Sequence, residues 1–277
     1  MTERSNEKGN LYVGDTGGEG RPVVLIHGWP LSHESWSDQI AALKDAGHRV
    51  VAYDRRGFGK SGPGDSYDYD ALADDLDNVI TDLDLQDVTL VGFSMGGGEV
   101  ARYVARHGEQ RLHSVVFAAA VPPYLLKTEG NEDGPLTQDA ADEMRAGLEK
   151  DRDAFFKDFT TAFFTAGDEL RVSEERRAHA ESLCQESDQD AALGCMEAFN
   201  TTDFRDDLAK VTVPTLVIHG DSDAIVPLEG AGRRTHQSIE GSQLVVLEGA
   251  PHGCNVSHVD EFNQALLEFL GRDRSEG

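Results

Sequence analysis

Gly92-Phe93-Ser94-Met95-Gly96 sets a serine between small neighbours, a pattern that forces a hydroxyl outward on a sharp turn between a strand and a helix. The surroundings agree with this. An apolar run over residues 88–91 precedes the serine, and a helical segment opens at Met95. Residues flanking such a turn must be tiny, and Gly92, Gly96 and Gly97 are. The free N–H groups and partial positive charge of the helix N-terminus would also stabilise an oxyanion formed beside the serine. These features point to covalent acyl transfer with Ser94 as nucleophile. An incidental serine in a glycine-rich turn would need neither the strand before it nor the helix after it.

A serine hydroxyl needs a base. Ten histidines are present, and their positions separate them. His252 lies in Gly249-Ala250-Pro251-His252-Gly253, after the last apolar run, where the C-terminal ends of parallel strands gather. His258 starts the final helix and would face solvent, while His27 and His219 each precede a glycine at a strand end and read as supports for their loops. With the chain order serine, acid, histidine, the acid belongs to another strand end between Ser94 and His252. His219-Gly220-Asp221-Ser222-Asp223 follows the apolar run 215–218 and offers both Asp221 and Asp223. Asp221 sits in the tight part of the turn, where an Asp often bonds its own backbone. Spacing alone leaves the two open.

These residues need a scaffold that brings strand ends together. Short apolar, β-branched runs recur at 23–26, 50–53, 88–91, 115–118, 215–218 and 244–247. Runs that are apolar on both faces suit buried strands of a mostly parallel sheet. Amphipathic segments lie between them, such as 69–83 and 95–107, the latter closed by Gly108. The alternation predicts an α/β fold with a central sheet flanked by helices. From about 122 to 210 the rhythm breaks. Only helical periodicity and heavy charge appear there, entered through Pro122, Pro123 and Pro135 and left at Pro214. Return to the same sheet makes this stretch a helical cap insertion within a single domain over 1–277.

Composition limits the setting. The chain has 277 residues, 51 Asp+Glu against 25 Lys+Arg, and a formal charge of -26. That balance disfavours a nucleic-acid partner. The acid is spread from Asp38 to Asp273 rather than gathered in a tail, which suggests the solvating coat of a salt-adapted (halophilic) protein. Residues Met1 to Glu7 hold no apolar stretch, and no later run approaches a bilayer's span, so neither a leader nor a membrane segment is expected. Cys184, Cys195 and Cys254 are an odd set without a CxxC pair. They argue against a disulfide framework or a zinc site and for a cytoplasmic location.

Two other signals carry less than they promise. Gly57-Phe58-Gly59-Lys60-Ser61-Gly62 spells a dinucleotide fingerprint, but Pro63-Gly64 follows where a helix should open, so it reads as a structural turn. Phe155, Phe156, Phe159, Phe163 and Phe164 form an aromatic stripe in the insertion. Packing within the insertion accounts for such a stripe more simply than substrate contact, and Phe159 and Phe163 are the members put forward for the pocket.

Longer stretches resemble a known family. They are His27-Gly28-Trp29-Pro30-Leu31-Ser32, Tyr53-Asp54-Arg55-Arg56-Gly57-Phe58-Gly59-Lys60-Ser61, the segment from Gly92 to Tyr103, Val121-Pro122-Pro123-Tyr124, and His219-Gly220-Asp221-Ser222-Asp223. Together they resemble the α/β-hydrolase superfamily and, more narrowly, its cofactor-free haloperoxidases, perhydrolases and related arylesterases. The resemblance spans nearly the whole chain. It implies an α/β-hydrolase fold, Asp223 rather than Asp221 as the acid, and oxyanion donors at the backbone N–H groups of Trp29 and Met95. It also implies acyl transfer to water or to hydrogen peroxide, with the released peracid oxidising halide, and no haem, vanadium, flavin or metal. Pro30, which fixes the backbone beside an oxyanion donor, tips the expectation toward perhydrolysis. The expected partners are a small acyl substrate, hydrogen peroxide and halide, with a homo-oligomer left open. A plain carboxylesterase or lactonase, a C–C bond hydrolase and a ligand receptor without turnover are the alternatives. Cys254 after His252-Gly253 departs from the pattern.

Overall fold

The computed structural model describes residues 1–5 and 11–271. Asn6 and Glu7 of the polar N-terminus and the acidic Asp273 lie outside the described residues. Among the described residues, an eight-stranded sheet forms in the order β1-β2-β4-β3-β5-β6-β9-β10. Its first members are β1 (Thr2–Ser5), β2 (Tyr12–Asp15), β3 (Pro22–Ile26) and β4 (Arg49–Tyr53), with α1 (Ser37–Asp45) between the last two. Next come α2 (Tyr69–Asp82), β5 (Val88–Phe93), α3 (Met95–His107) and β6 (Leu112–Ala118). β1–β2 and β2–β4 pair antiparallel, and every other pairing in this sheet is parallel. All six residues of β5 and all seven of β6 are buried, as the two-sided apolar runs require. No apolar run in the sequence marks the antiparallel edge, because Tyr12–Asp15 is short and β-branched only at Val13.

Between β6 and the next sheet strand the chain is mainly helical. This insertion holds α4 (Gln138–Lys150), α5 (Arg152–Phe163), β7 (Thr165–Ala166), β8 (Glu169–Leu170), α6 (Glu174–Gln185) and α7 (Gln189–Thr201). Each of these four helices starts at a side-chain cap, unlike the short helix at Arg205–Leu208 that follows them: Thr137, Asp151, Ser173 and Asp188 accept hydrogen bonds from backbone N–H groups of the first turn. Such caps stabilise a helix start by about 1 kcal/mol, which is how so charged a segment still makes four helices. No strand was expected here, yet β7 and β8 pair antiparallel in a two-residue hairpin around Gly167, at φ 61°. The strands are too short to give a sequence period.

α8 (Arg205–Leu208) leads back to β9 (Thr215–Gly220), followed by α9 (Gly232–Ser238), β10 (Gln243–Leu247), α10 (Cys254–Ser257) and α11 (Val259–Leu270). Because β3, β5, β9 and β10 run parallel, the loops after all four emerge on one edge of the sheet. Those loops carry Trp29, Ser94, Asp223 and His252. No described helix is long and apolar enough to cross a membrane.

Candidate active site

Ser94 is the last residue before α3 and adopts φ 53°, ψ -117°, a region that a side-chain-bearing residue enters only at a cost. Backbone bonds impose it: Ser94 N–H donates to the Ala118 carbonyl at 2.8 Å, and Gly97 and Val121 N–H groups donate to the Ser94 carbonyl at 3.1 Å each. The turn closes only because its flanks lack side chains. A Cβ on Gly92 would lie 2.4 Å from the Gly96 oxygen, and one on Gly96 would lie 2.6 Å from the Ile26 oxygen.

The loop after β10 brings His252 to the serine. His252 Nδ1 lies 2.6 Å from Asp223 Oδ2, and Nε2 lies 2.9 Å from Ser94 Oγ. A carboxylate only accepts, so Nδ1 carries the proton and Nε2 is free to accept the Ser94 hydroxyl. Burial would raise the Asp223 carboxyl, but the facing His252 and hydrogen bonds from His219 and His252 hold it well below the usual carboxylate range. Its other oxygen accepts the N–H groups of Ile225 and Val226 at 2.9 and 2.8 Å. Asp221 is exposed and does something else: its Oδ1 accepts Gly249 N–H at 2.7 Å, tying the turn to the loop that carries His252. Phe93 and Phe163 rings stand 5.4 and 5.0 Å from the His252 ring.

The loop after β3 is braced from behind. Arg55 N–H donates to His27 Nε2 at 3.0 Å, so the His27 proton sits on Nδ1, where it donates to the Gly28 carbonyl at 2.8 Å. Burial, with the Arg55 charge beside it, pushes the His27 imidazole down to about 3, so the ring is neutral near pH 7. Leu31 N–H donates to the same carbonyl at 3.0 Å. The Gly28 carbonyl and the Trp29 N–H belong to one trans peptide, so anchoring the oxygen aims the N–H the opposite way. Among the described residues neither Trp29 N–H nor Met95 N–H has an acceptor within the protein.

A family model for the alpha/beta hydrolase fold matches residues 21–258. The chain belongs to the alpha/beta hydrolase fold family. It is 45% identical to a non-heme chloroperoxidase of Kitasatospora aureofaciens over 92% of this chain and 94% of that one. It is 36% identical to a bifunctional esterase/perhydrolase of Acinetobacter calcoaceticus over 94% and 96% of the two chains. Among solved structures, a bromoperoxidase from Bacillus anthracis superposes with a TM-score of 0.93 at 50% identity, covering 95% of each chain.

In this hydrolase a cavity of about 490 Å³ reaches Ser94 and His252 between the sheet edge and the insertion. Of the three pocket candidates, Phe159 lies on its wall, with its ring 5.2 Å from that of Trp29. Phe163 and Pro30 are not on that wall. Phe163 turns toward His252 and lines a second cavity, of about 220 Å³, while Pro30 is buried within the loop that Trp29 leads. The wall also includes Leu125, Met144, Phe199, Asn200 and Ile225. Nothing in the sequence marks these residues, because their apolar or amide side chains match no motif and only the fold gathers them.

Cys184, Cys195 and Cys254 are all buried and free. Burial pushes their thiols upward, Cys195 to about 12, so the thiolate needed for nucleophilic attack is suppressed. Cys254 opens α10, its N–H donating to the His252 carbonyl at 2.8 Å. Among the described residues no group of three or more His, Cys, Asp or Glu is placed to hold a metal ion. The Gly57–Gly62 turn closes on itself, with Gly57 N–H donating to the Gly62 carbonyl and Lys60 N–H to Asp54.

Proposed function

We propose that Ser94, His252 and Asp223 are the catalytic triad of a cofactor-free acyl-transfer enzyme that uses water or hydrogen peroxide as acceptor. The unbroken chain of hydrogen bonds from Asp223 through His252 to Ser94 carries this reading. Ser94 Oγ attacks the ester carbonyl while His252 Nε2 takes its proton, and Asp223 stabilises the imidazolium formed. The Trp29 and Met95 N–H groups hold the oxyanion. His252 returns the proton to the departing alcohol, leaving an acyl group on Ser94. Water then yields a carboxylic acid, and hydrogen peroxide yields a peracid. The peracid passes its terminal oxygen to a halide in solution, giving hypohalite and the carboxylic acid. The names of the relatives, chloroperoxidase and esterase/perhydrolase, support both acceptors.

The helical insertion acts as the cap of a single catalytic domain, and the acidic surface suits concentrated salt. The three buried, unpaired cysteines fit a cytoplasmic setting.

The test is turnover of p-nitrophenyl acetate, with and without peroxide and bromide, in wild type and Ser94→Ala. Both ester cleavage and peroxide-dependent bromination should vanish together in the variant. Bromination that outlives ester cleavage would mean a separate oxidative site.

A further inference from the structure

The cavity that reaches Ser94 is mostly apolar, yet among the described residues its wall holds one carboxylate and no Lys or Arg. The carboxylate is Asp158, on α5. Phe155, Asp158, Phe159 and Ala162 all stand on the wall, and their spacing puts them on one face of the helix. Asp158 is exposed to solvent, so it sits where that face meets water, next to rings that lead inward. Among the described residues no side chain pairs with it.

The neighbouring rings are equally unclaimed. Phe155 and Phe159 lie nearly parallel, 6.3 Å apart, and Trp29 meets Phe159 and Phe199 edge-on at 5.2 and 5.6 Å. Where a protein cation covers a ring among the described residues, the ring is Tyr12, Phe58, Tyr124, Phe156 or Phe204. None of these is on the wall. A carboxylate beside free aromatic faces attracts a cation twice, through its own charge and through the negative faces of the rings. The same carboxylate repels an anion.

We propose that Asp158 is a specificity-determining residue that, with the rings of Phe155 and Phe159, receives an ammonium group carried by the ester. The site would then take cationic esters ahead of their neutral isosteres. This rests on the acyl-transfer reading of Ser94 and names the substrate class of that site.

The probes are matched pairs in which a quaternary ammonium replaces a tert-butyl group of the same shape. Butyrylcholine against 3,3-dimethylbutyl butyrate carries the charge on the alcohol. Ethyl 4-(trimethylammonio)butanoate against ethyl 5,5-dimethylhexanoate carries it on the acyl group. The readout is the ratio of kcat/KM, cationic to neutral, within each pair. Wild type should favour the cationic member of at least one pair. Asp158→Asn, an isosteric change at an exposed position, should lower that ratio about fivefold, the scale of an exposed ion pair. Asp168→Asn removes the same charge from the exposed β7–β8 turn, off the wall, and should leave the ratio unchanged. An equal fall in both variants would assign the preference to the net charge of the whole surface and overturn the proposal. A ratio untouched by Asp158→Asn, or a wild type that favours the neutral member of both pairs, overturns it too, while p-nitrophenyl acetate hydrolysis still supports Ser94 catalysis. A wild type that cleaves no ester at all overturns the acyl-transfer reading together with this one.

Discussion

At the residue scale, Asp221 and Asp223 are two positions apart and chemically identical, and only their surroundings separate them. Asp223 spends one oxygen on two backbone N–H groups and the other on His252, whereas Asp221 accepts one loop N–H at the surface. Asp223→Asn should lower kcat by about four powers of ten, the scale of losing the orienting carboxylate in serine proteases. Asp221→Asn keeps an oxygen for Gly249 and should lose no more than a few-fold. Equal losses of kcat in two folded variants would reverse the assignment. Spacing left these two open because both stand at the same strand end, and what decides is which oxygen meets an imidazole from a loop 29 residues away. His27 gives a second prediction. Its imidazole titrates at about 3 in the folded protein, below the 6.5 of a free histidine. Between those values the unfolded chain holds a proton that the native state refuses, so stability falls as pH drops from about 6.5 toward 3. This one group sets a slope of up to about 1.4 kcal/mol per pH unit. Urea unfolding between pH 7 and 4.5 should therefore show a shallower loss in His27→Gln than in wild type, and parallel slopes would remove the buried neutral imidazole from the account.

At the scale of elements, the parallel core was legible because its signals are local. Apolar runs mark β3, β4, β5, β6, β9 and β10, and the glycines around Ser94 mark the turn into α3. The strand β2 was not legible, since its place is fixed by pairing with β1 and β4 rather than by its own four residues. The aromatic stripe shows a subtler limit. Sequence offered a choice between packing and pocket for all five phenylalanines, and α5 divides the four it carries, Phe155, Phe156, Phe159 and Phe163, by face. Phe156 is fully buried, with its ring 6.1 Å from that of Trp29. Phe155 and Phe159 stand on the cavity wall. Helical periodicity predicts that the residues have faces, but which face meets an empty space depends on the sheet below. Phe156→Ala should therefore cost about 3–5 kcal/mol, as a cavity in a packed core does, read as a lower urea midpoint. Phe159→Ala should cost much less and instead raise the kcat/KM of p-nitrophenyl hexanoate relative to the acetate several-fold, because it lengthens the space beside Trp29. If both substitutions changed stability alike and left chain-length preference where it was, the division by face would be wrong.

At the scale of the whole molecule, the charge of -26 sets a term that no single contact reveals. The surface is nearly free of large apolar groups, with only Met1 and Val246 at 50% and 40% exposure among the described residues. Much of the surface instead carries carboxylates, some paired in small clusters such as Arg106 with Asp70 and Asp74, or Arg205 with Asp203. Salt acts on both kinds of interaction in opposite directions. It weakens the attractive pairs, but exposed pairs are worth at most about 1 kcal/mol each, and 25 basic residues cannot neutralise 51 acidic ones. It also shortens the reach of the unpaired acids' repulsion, from about 30 Å at 0.01 M to about 3 Å at 1 M. That repulsion is summed over the whole surface and is largest in the compact state, so relieving it should win. The melting temperature should rise steadily from low to molar KCl, with most of the gain in the first few tenths molar, where screening changes fastest. Arg106→Ala should alter the absolute melting temperature while leaving the direction of the salt effect intact, because one cluster is a small part of the sum. A melting temperature that is flat or falls with KCl would show that local pairs outweigh the net charge, and the acidic coat would then need an explanation other than salt.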